Sequence, residues 1–395
     1  MISTREKEIA WDLTELFSGY DDPKIPKTMN AVIEKADEII NQYKDKINRP
    51  NFTAQDLHDL LKEQEEILAR SRDLGIFSIN SFNANMALPE TKALYNKFMD
   101  FQSTITKKLV FLQLEIGRLV SDNRQIINEK ILSNYINHLE KIRKNFPYKL
   151  SEAEEEVILD KDHYGAKAWE QLKNSWISTR KFKAMVEGKE KEISFSEYRS
   201  LILHPDRETR ISVVKSVCGG LMKEEEIYSS ALRNICGDWV KTAKRRNYDS
   251  PIHHSLMYND TTQEIINKMI NTVENNIGIY HRFLKIKTKL LNLPKLGGVD
   301  IFAYLPSEKK YTWDEIKKIN LEVYNKFDKS FEEIVRDIFE RNHIDASTRE
   351  GKTGGIYCSP WYNGRSAFIL TSFKGLLSDI PFLTHEFFGL DFSYI

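Results

Sequence analysis

The residues best suited to chemistry are a histidine and a glutamate next to each other near the C-terminus, His385 and Glu386. On a helix, two imidazoles four residues apart lie on one face and can converge on one Zn²⁺. A glutamate directly after the first histidine can take a proton from the zinc-bound water. The pattern for that chemistry is H-E-x-x-H. Its fifth position is held here by Gly389, so the sequence contains half of a zinc-protease motif.

The pair by itself says little about function. Nine histidines and 58 acidic residues in a chain of 395 make such a pair expected by chance, and His58-Asp59 is another one. His253 and His254 are adjacent, so they point in different directions on a helix or a strand. The residues alone therefore leave two interpretations of His385 open, a metal ligand and an ordinary histidine that faces core or solvent.

Composition narrows the class of protein. Lysine plus arginine and aspartate plus glutamate both number 58, so the net charge gives no reason to expect a nucleic-acid partner. No stretch is apolar for long enough to cross a membrane, and the N-terminus lacks the apolar core of a secretion signal. Three cysteines without close spacing argue against a disulfide scaffold. We expect a cytoplasmic protein without a membrane partner.

Helical periodicity dominates the chain. Between residues 28 and 48, apolar residues recur every three or four positions and form one stripe along a helix. Helix starts are also predicted where a serine or threonine precedes a glutamate by three residues, which is the pattern of a capping box. These pairs are Ser151 with Glu154, Thr261 with Glu264, and Thr312 with Glu315. The sequence predicts a mainly α fold.

Strands are predicted in two places. Residues 182–186 and 192–195 flank a turn at Gly188 and predict a small hairpin. Residues 354–358 and 366–373 flank a turn at Asn363-Gly364 and predict two strands that lead into the helix with His385.

Six short segments resemble one known family. They are WDLTELF at 11–17, LSEAEE at 150–155, SLILHPDRETR at 200–210, RNYDS at 246–250, GKTGGIYC at 351–358, and residues 366–380 with their G-x-L-x-D turn. In these segments the chain resembles the oligoendopeptidase F-type zinc oligopeptidases of the thimet oligopeptidase family. The segments occur in the family's order along the whole chain.

The resemblance implies a mainly α, two-lobed helical peptidase fold with a deep channel and a small sheet next to the zinc-motif helix. It implies an N-terminal helical lobe over residues 1–200. Residues 201–395 would form the N-terminal part of the catalytic domain, ending just after the motif, so that the C-terminal part of the fold is missing. Enzymes of this family hydrolyse short peptides, which would be the partners of this chain.

The resemblance also assigns roles to residues. His385 matches the first Zn²⁺ ligand and Glu386 matches the general base, whereas Gly389 stands at the second ligand position. The third ligand, a glutamate, would lie beyond the chain end. Substrate backbone would pair with the segment that comprises Gly354, Gly355, Ile356, Tyr357 and Cys358. With one imidazole, this chain is expected to hold zinc weakly or not at all and to have negligible peptidase activity.

Three hypotheses follow from these matches and departures. The chain is a fragment of an oligoendopeptidase F-type zinc metalloendopeptidase, a short protein that binds peptides without cutting them, or a helical scaffold derived from that family. Peptide preference and oligomeric state are not indicated by the sequence.

Overall fold

The structure, a computed structural model, describes residues 8–305, 309–349 and 351–388, except for the side chains of His163 and Ser196. Most of this part of the chain is helical, so the predicted mainly α class is confirmed. Gly389, the second ligand position of the motif, lies outside the described residues. None of the described helices combines the length and the apolar character needed to cross a bilayer.

The described residues form sixteen α-helices, four short 3-10 turns and five strands. The helices are α1 Lys24–Tyr43, α2 Ala54–Ala84, α3 Pro89–Lys108, α4 Val110–Asp122, α5 Ile136–Asn145, α6 Glu152–Tyr164, α7 Ala166–Ser178, α8 Phe195–Leu201, α9 Arg207–Met222, α10 Glu225–Arg245, α11 His253–Tyr258, α12 Gln263–Asn275, α13 Ile277–Leu290, α14 Trp313–Phe327, α15 Lys329–Glu340 and α16 Asp379–Phe388. The 3-10 turns are Arg124–Asn128, Lys130–Tyr135, Phe146–Tyr148 and Gly298–Asp300. The strands are β1 Lys181–Val186, β2 Lys189–Ser194, β3 Ile344–Asp345, β4 Tyr357–Trp361 and β5 Ser366–Leu370.

The chain divides into two compact units. The first unit comprises Met1–Gln42, Asp59–Lys108 and Ser307–Ile395, and the second comprises Tyr43–His58 and Leu109–Pro306. The boundary that the resemblance places after residue 200 stays a prediction.

A three-stranded sheet lies in the first unit, in the order β3-β5-β4. Strand β3 is parallel to β5, and β4 is antiparallel to it. The two predicted strands are therefore present, but the first begins at Tyr357 and not at Gly354. The reason is Gly355, whose φ of +114° lies outside the conformations of an extended strand.

Helices cover both faces of this sheet. On one face, Ala367 and Ile369 of β5 belong to an apolar core with side chains from α14, α15 and α16. On the other face, Phe368 and Trp361 pack with Ile76 of α2. Side chains of β5 alternate between these two cores, as the period of two in a strand requires. All five residues of β5 are buried.

The N-terminal segment of the first unit is tied to the sheet through Glu15. Its carboxylate accepts hydrogen bonds from Arg341 Nε at 3.0 Å and Nη2 at 2.7 Å, and it lies 3.1 Å from His343 Nε2. His343 is fully buried, and its Nδ1 lies 2.9 Å from Ser366 Oγ. Burial lowers the pKa of His343. The WDLTELF segment thus supplies a contact that holds the fold together.

The predicted hairpin in the second unit is confirmed. Strands β1 and β2 are antiparallel, with Val186 paired to Lys189. The two residues between them, Glu187 and Gly188, have φ of 52° and +76°. Two successive positive φ values are typical of the type I′ turn that suits a two-residue hairpin loop.

Two of the resembling segments meet in the second unit. Arg246, from RNYDS, donates two hydrogen bonds to Glu155, from LSEAEE, at 2.6 and 2.7 Å. The main-chain N–H of Leu150 donates to the same carboxylate at 3.0 Å. Burial by itself would raise the pKa of Glu155. The hydrogen bonds from Arg246 and Leu150 have the larger effect, so the pKa is lowered. This bidentate pair explains why both segments carry these residue types.

A second charged cluster in this unit is formed by residues of the 200–210 segment. Arg207 and Arg210 of α9 both donate to the buried carboxylate of Asp300, and Arg210 Nη2 reaches Oδ1 at 2.6 Å. The N–H of Gly297 donates to Asp300 Oδ2 at 2.8 Å. Arg210 is 1% exposed and also donates to the carbonyl of His204 at 2.6 Å. The cluster fixes the start of α9 against the 297–300 segment.

The predicted capping boxes at Ser151 and Thr312 are confirmed, whereas the prediction at Thr261 is wrong by one residue. The N-cap of α12 is Thr262, whose hydroxyl accepts from the N–H of Ile265 at 3.2 Å. Thr262 is the extended residue before the helix, so its side chain reaches the third helical N–H, which is the geometry an N-cap requires.

Candidate functional site

Helix α16 carries His385 and Glu386, and the loop before it fixes where the helix begins. Asp379 Oδ2 accepts hydrogen bonds from the N–H groups of Lys374 and Leu376, both at 2.9 Å. Gly375 has φ of +71°, and a Cβ there would lie 2.8 Å from the carbonyl oxygen of Tyr311. Glycine is required because any larger residue would meet this backbone oxygen. The G-x-L-x-D pattern is thus a positioning turn.

The buried face of α16 orients the helix about its axis. Leu383 and Phe387, four residues apart, are 2% and 0% exposed. Phe387 makes an edge-to-face contact with Tyr324, with ring centroids 5.8 Å apart. The Tyr324 hydroxyl donates to the carbonyl of Thr384 at 2.7 Å, and Thr384 Oγ1 donates to Asn320 Oδ1 at 2.7 Å. These contacts determine which residues of α16 remain accessible.

His385 and Glu386 lie away from this buried face. His385 is exposed and Glu386 is half-buried. Helix α16 packs against β4, where the Glu386 carboxylate lies near Cys358. Burial raises the pKa of the Cys358 thiol to about 12, and the charge of Glu386 adds to that increase. Cys358 is therefore a neutral thiol and not a nucleophile near neutral pH.

Burial also raises the pKa of the Glu386 carboxyl, and the neighbouring His385 opposes the shift. A carboxylate whose pKa moves from its ordinary value toward neutrality is a better proton acceptor. Its half-buried position therefore makes the Glu386 carboxylate a stronger proton acceptor than an exposed glutamate.

Strand β4 is at the edge of its sheet, and the hydrogen bonds of β5 show which of its groups face outward. The N–H of Ile369 donates to the main-chain carbonyl of His343 at 2.9 Å. His343 directly precedes β3, so the main-chain groups of Ile369 face β3 and point away from β4. Cys358 is paired with Ile369. In an antiparallel ladder, two opposite residues either bond to each other or both turn their main-chain groups outward. Because Ile369 turns away from β4, its partner Cys358 turns away from β5. The N–H and C=O of Cys358 therefore point toward the free edge.

The same alternation extends the edge in both directions. Ile356 and Pro360 lie two residues from Cys358, so their main-chain groups face the same way. Pro360 has no N–H, and its carbonyl accepts from Arg72 Nε at 3.0 Å. Neither main-chain group of Pro360 is therefore available to pair with an added strand. The open part comprises Ile356 and Cys358, which belong to the segment that the resemblance assigned to substrate.

Helix α2 packs on the face of β4 that carries Tyr357 and Ser359. The Tyr357 hydroxyl donates to Asn80 Oδ1 at 3.0 Å and accepts from Asn83 Nδ2 at 3.0 Å. Ser359 Oγ donates to Asn80 Oδ1 at 3.3 Å. Burial raises the pKa of Tyr357 above its ordinary value. Tyr357 is thereby an anchor for the strand, and its hydroxyl faces α2.

Lys352 anchors the loop that enters β4. Its Nζ donates to Asp345 Oδ1 at 2.6 Å and to the carbonyls of Ser347 and Thr371 at 3.0 and 2.5 Å. Arg349 pairs with the same carboxylate, at 2.8 Å and 2.5 Å. Burial lowers the pKa of Lys352, and the hydrogen bond to Asp345 opposes it. Gly354 and Gly355, which follow, are exposed.

The described residues do not by themselves fit a zinc ion. Among residues 8–305, 309–349 and 351–388, no group of three or more His, Cys, Asp or Glu side chains could hold a metal ion. His385 is on α16 as predicted, but a catalytic zinc site needs three protein ligands. The described part of the chain thus contains His385 and Glu386 on one helix without completing a metal site.

Sequence reasoning missed the residues that orient the helix. Asn320 and Tyr324 are four residues apart on α14 and are 0% and 1% exposed. Polar groups at i and i+4 within an apolar helical stripe were the available signal. Asp345 was also missed, because its partners Lys352 and Arg349 come together only in the folded loop.

Comparison with known proteins agrees with the resemblance. The family profile described as Oligopeptidase F matches residues 122–182. Group B oligopeptidase PepB of Streptococcus agalactiae is 22% identical over 387 residues, which is 96% of this chain and 63% of that protein. Oligopeptidase PepF of Bacillus subtilis is 22% identical over 391 residues, 96% of this chain and 57% of that protein. The chain is thus similar in sequence to oligopeptidases of the F type over nearly its whole length. It spans 57 to 63% of the length of these two relatives.

The fold is also that of oligoendopeptidase F. The crystal structure of oligoendopeptidase-F from Enterococcus faecium superimposes with a TM-score of 0.63 and 17% sequence identity, over 81% of this chain and 62% of that chain. The predicted small sheet next to the motif helix is present as β4 and β5 beside α16.

Proposed function

We propose that this chain serves in the hydrolysis of oligopeptides as an oligoendopeptidase F-type peptidase. The observation that carries the proposal is the packing of α16, with half-buried Glu386, against an edge strand whose main-chain groups at Cys358 point outward. The relatives reported above are named as oligopeptidases, which favours this function over a non-catalytic scaffold.

An extended peptide fits this edge by adding a strand to the sheet. Main-chain hydrogen bonds at Ile356 and Cys358 would hold the backbone of a peptide whatever its side chains. Exposed Gly354 and Gly355 add no side chain that would block the approach. These residues are our candidates for substrate binding, with Tyr357 as the anchor of the strand through Asn80 and Asn83.

Glu386 is our candidate for the general base. Its carboxylate would accept a proton from the water that attacks the peptide carbonyl and would later transfer it to the leaving amine. The raised pKa of Glu386, caused by burial, supports that role. The family resemblance implies Zn²⁺ with His385 as one ligand, and the described residues do not complete that site.

Peptide binding at the edge can be tested with one substitution that removes a donor. Proline at position 358 removes the outward N–H, and proline is tolerated at strand edges. We expect Cys358→Pro to weaken binding of a fluorescently labelled nine-residue peptide by about tenfold or more, because roughly 1.4 kcal/mol corresponds to a factor of ten. Fluorescence anisotropy measures the affinity, and Cys358→Ala is the control that keeps the N–H. Failure of the wild-type chain to bind, or equal affinity of the two variants, would contradict the proposal.

Zinc binding is expected to depend on position 389. The sequence places glycine where the motif needs its second imidazole, so we expect Gly389→His to raise the zinc affinity of the chain by at least about tenfold. Titration against a chromogenic zinc chelator measures this affinity. Leu390→His is the matched control, since it adds an imidazole one residue out of register. An equal gain in both variants would show that His385 is not part of a motif-type site. Tight stoichiometric zinc in the unaltered chain would contradict the expectation that it holds zinc weakly or not at all.

A further inference from the structure

Arg72 of α2 lies at the end of the open edge of β4. Its Nε donates to the carbonyl of Pro360 at 3.0 Å. That carbonyl points away from β5, toward the free edge, because Pro360 is two residues from Cys358 and shares its orientation. The guanidinium carbon of Arg72 also lies 4.6 Å from the centre of the Tyr362 ring. Arg72 is therefore on the side of β4 where a peptide would add, at the point where main-chain pairing stops.

These two contacts hold the guanidinium in place and leave part of it available. The hydrogen bond uses the Nε–H group, and the ring contact uses one face of the planar group. Within residues 8–305, 309–349 and 351–388, the structure shows no hydrogen bond or ion pair from the Nη atoms of Arg72, and the side chain is exposed. A planar guanidinium with its Nη groups available matches the two oxygens of a carboxylate.

The acidic residue next to Arg72 in the chain, Asp73, is bound elsewhere. Its carboxylate accepts hydrogen bonds from Trp361 Nε1 at 2.9 Å and from Asn363 Nδ2 at 2.8 Å. Arg70 of the same helix differs from Arg72, because it forms an ion pair with Glu66 at 2.6 Å. The charge of Arg72 therefore remains for a ligand at the edge, whereas the charge of Arg70 has a partner on its own helix.

We propose that Arg72 determines specificity by binding a carboxylate of the peptide that adds to β4. The inference rests on the proposed function, since it requires a peptide at this edge. Successive residues of a strand are about 3.3 Å apart, so a peptide residue one or two positions beyond the pairing at Cys358 lies beside Pro360 and within reach of Arg72. The carboxylate belongs to an aspartate or glutamate side chain or to the C-terminus of the peptide. Main-chain pairing accepts any sequence, and Arg72 adds a preference to it.

Fluorescence anisotropy with three labelled nine-residue peptides tests the proposal on the 395-residue chain. The first peptide has glutamate at its central position and an amidated C-terminus. The second has glutamine in place of that glutamate, and the third has the same glutamine with a free C-terminal carboxylate. We expect the first or the third peptide to bind at least about fivefold more tightly than the second, because only these two offer a carboxylate to the guanidinium. A gain for the first assigns a side-chain carboxylate, and a gain for the third assigns the C-terminus.

Two variants show whether Arg72 is the source of this preference. Arg72→Gln should abolish it and leave the affinity for the second peptide unchanged, because glutamine can still donate to the carbonyl of Pro360. Arg70→Gln is the matched control. It removes the same charge two residues away, from a side chain that is paired with Glu66, and it should keep the preference. Circular dichroism establishes that both variants keep their helices.

The outcomes separate this inference from the proposed function. Equal affinity for all three peptides, with Cys358→Pro weakening each of them, would overturn the role of Arg72 and leave the edge as a peptide site. A preference that survives Arg72→Gln, or that Arg70→Gln abolishes equally, would also overturn it, because the preference would then have another source. Failure of all three peptides to bind would contradict the proposed function and this inference together.

Discussion

Replacing Lys352 by methionine should destabilise the first unit by about 3–5 kcal/mol, because it breaks a buried ion pair from one side. Lys352 and Asp345 have side chains that are 2% and 0% exposed, with Nζ 2.6 Å from Oδ1. The substitution leaves Asp345 with Arg349 as its remaining cation and removes the donor from three carbonyl oxygens, those of Asp345, Ser347 and Thr371. Buried acceptors without a donor add to the cost.

Urea unfolding followed by tryptophan fluorescence measures this change, since Trp361 lies in the adjoining strand. Lys318→Met is the matched control. Lys318 is a lysine of the same unit whose side chain is 79% exposed and forms a 3.9 Å surface pair with Glu322. Surface pairs contribute about 0–1 kcal/mol, so the control should remain near wild type. A loss below about 1 kcal/mol for Lys352→Met would mean that the loop into β4 does not depend on this anchor.

Asp300→Asn should have a comparable effect on the second unit, about 3–5 kcal/mol at pH 7. The Asp300 side chain is 0% exposed, and it is the carboxylate that faces Arg210, which is 1% exposed. Asparagine keeps the size of the side chain but leaves the buried guanidinium without its counter-charge. Asp260→Asn, at a position whose side chain is 62% exposed, is the control and should change stability little.

The pH dependence of this effect has a definite sign. Burial would raise the pKa of Asp300, but hydrogen bonds from Arg207, Gly297 and Arg210 outweigh it and lower the pKa from 3.8 to about 2. A carboxyl group whose pKa is lower in the folded state stabilises the fold fully at pH values above its pKa in the unfolded chain. This stabilisation is lost as the pH falls toward the pKa of the folded state. The difference in unfolding free energy between wild type and Asp300→Asn should therefore shrink between pH 4 and pH 2. A difference that stays constant over this window would show that the charge of Asp300 is not what stabilises the cluster.

Local patterns in the sequence predicted several elements and some of their ends. Apolar spacing in residues 28–48 predicted a helix that the structure has at Lys24–Tyr43, and Ser151 and Thr312 marked the starts of α6 and α14. Gly188 located the hairpin turn. The errors were equally local. Thr262 and not Thr261 caps α12, and β4 starts at Tyr357 because Gly355 has a positive φ.

In the candidate site as well, neighbouring residues were predicted from the sequence and contacts between distant residues were not. The sequence identified His385 and Glu386 on a helix and the segment through Cys358 beside it, because motif spacing and strand patterns are properties of neighbouring residues. It gave no sign that Asn320 and Tyr324 orient that helix, or that Asp345 meets Lys352. Those contacts join residues that are distant in the chain, with Tyr324 and Thr384 separated by 60 positions.

The sequence by itself determined the helical class, the resemblance to oligoendopeptidase F and the choice of His385 and Glu386 as candidate site residues. Tertiary structure alone decided that the main chain of Cys358 faces a free edge and that Glu386 is half-buried against β4. The physical reason is that periodicity and capping act over a few residues. Burial, edge position and pKa depend instead on which distant segments pack together, and that is determined by the sum of many weak contacts across the fold.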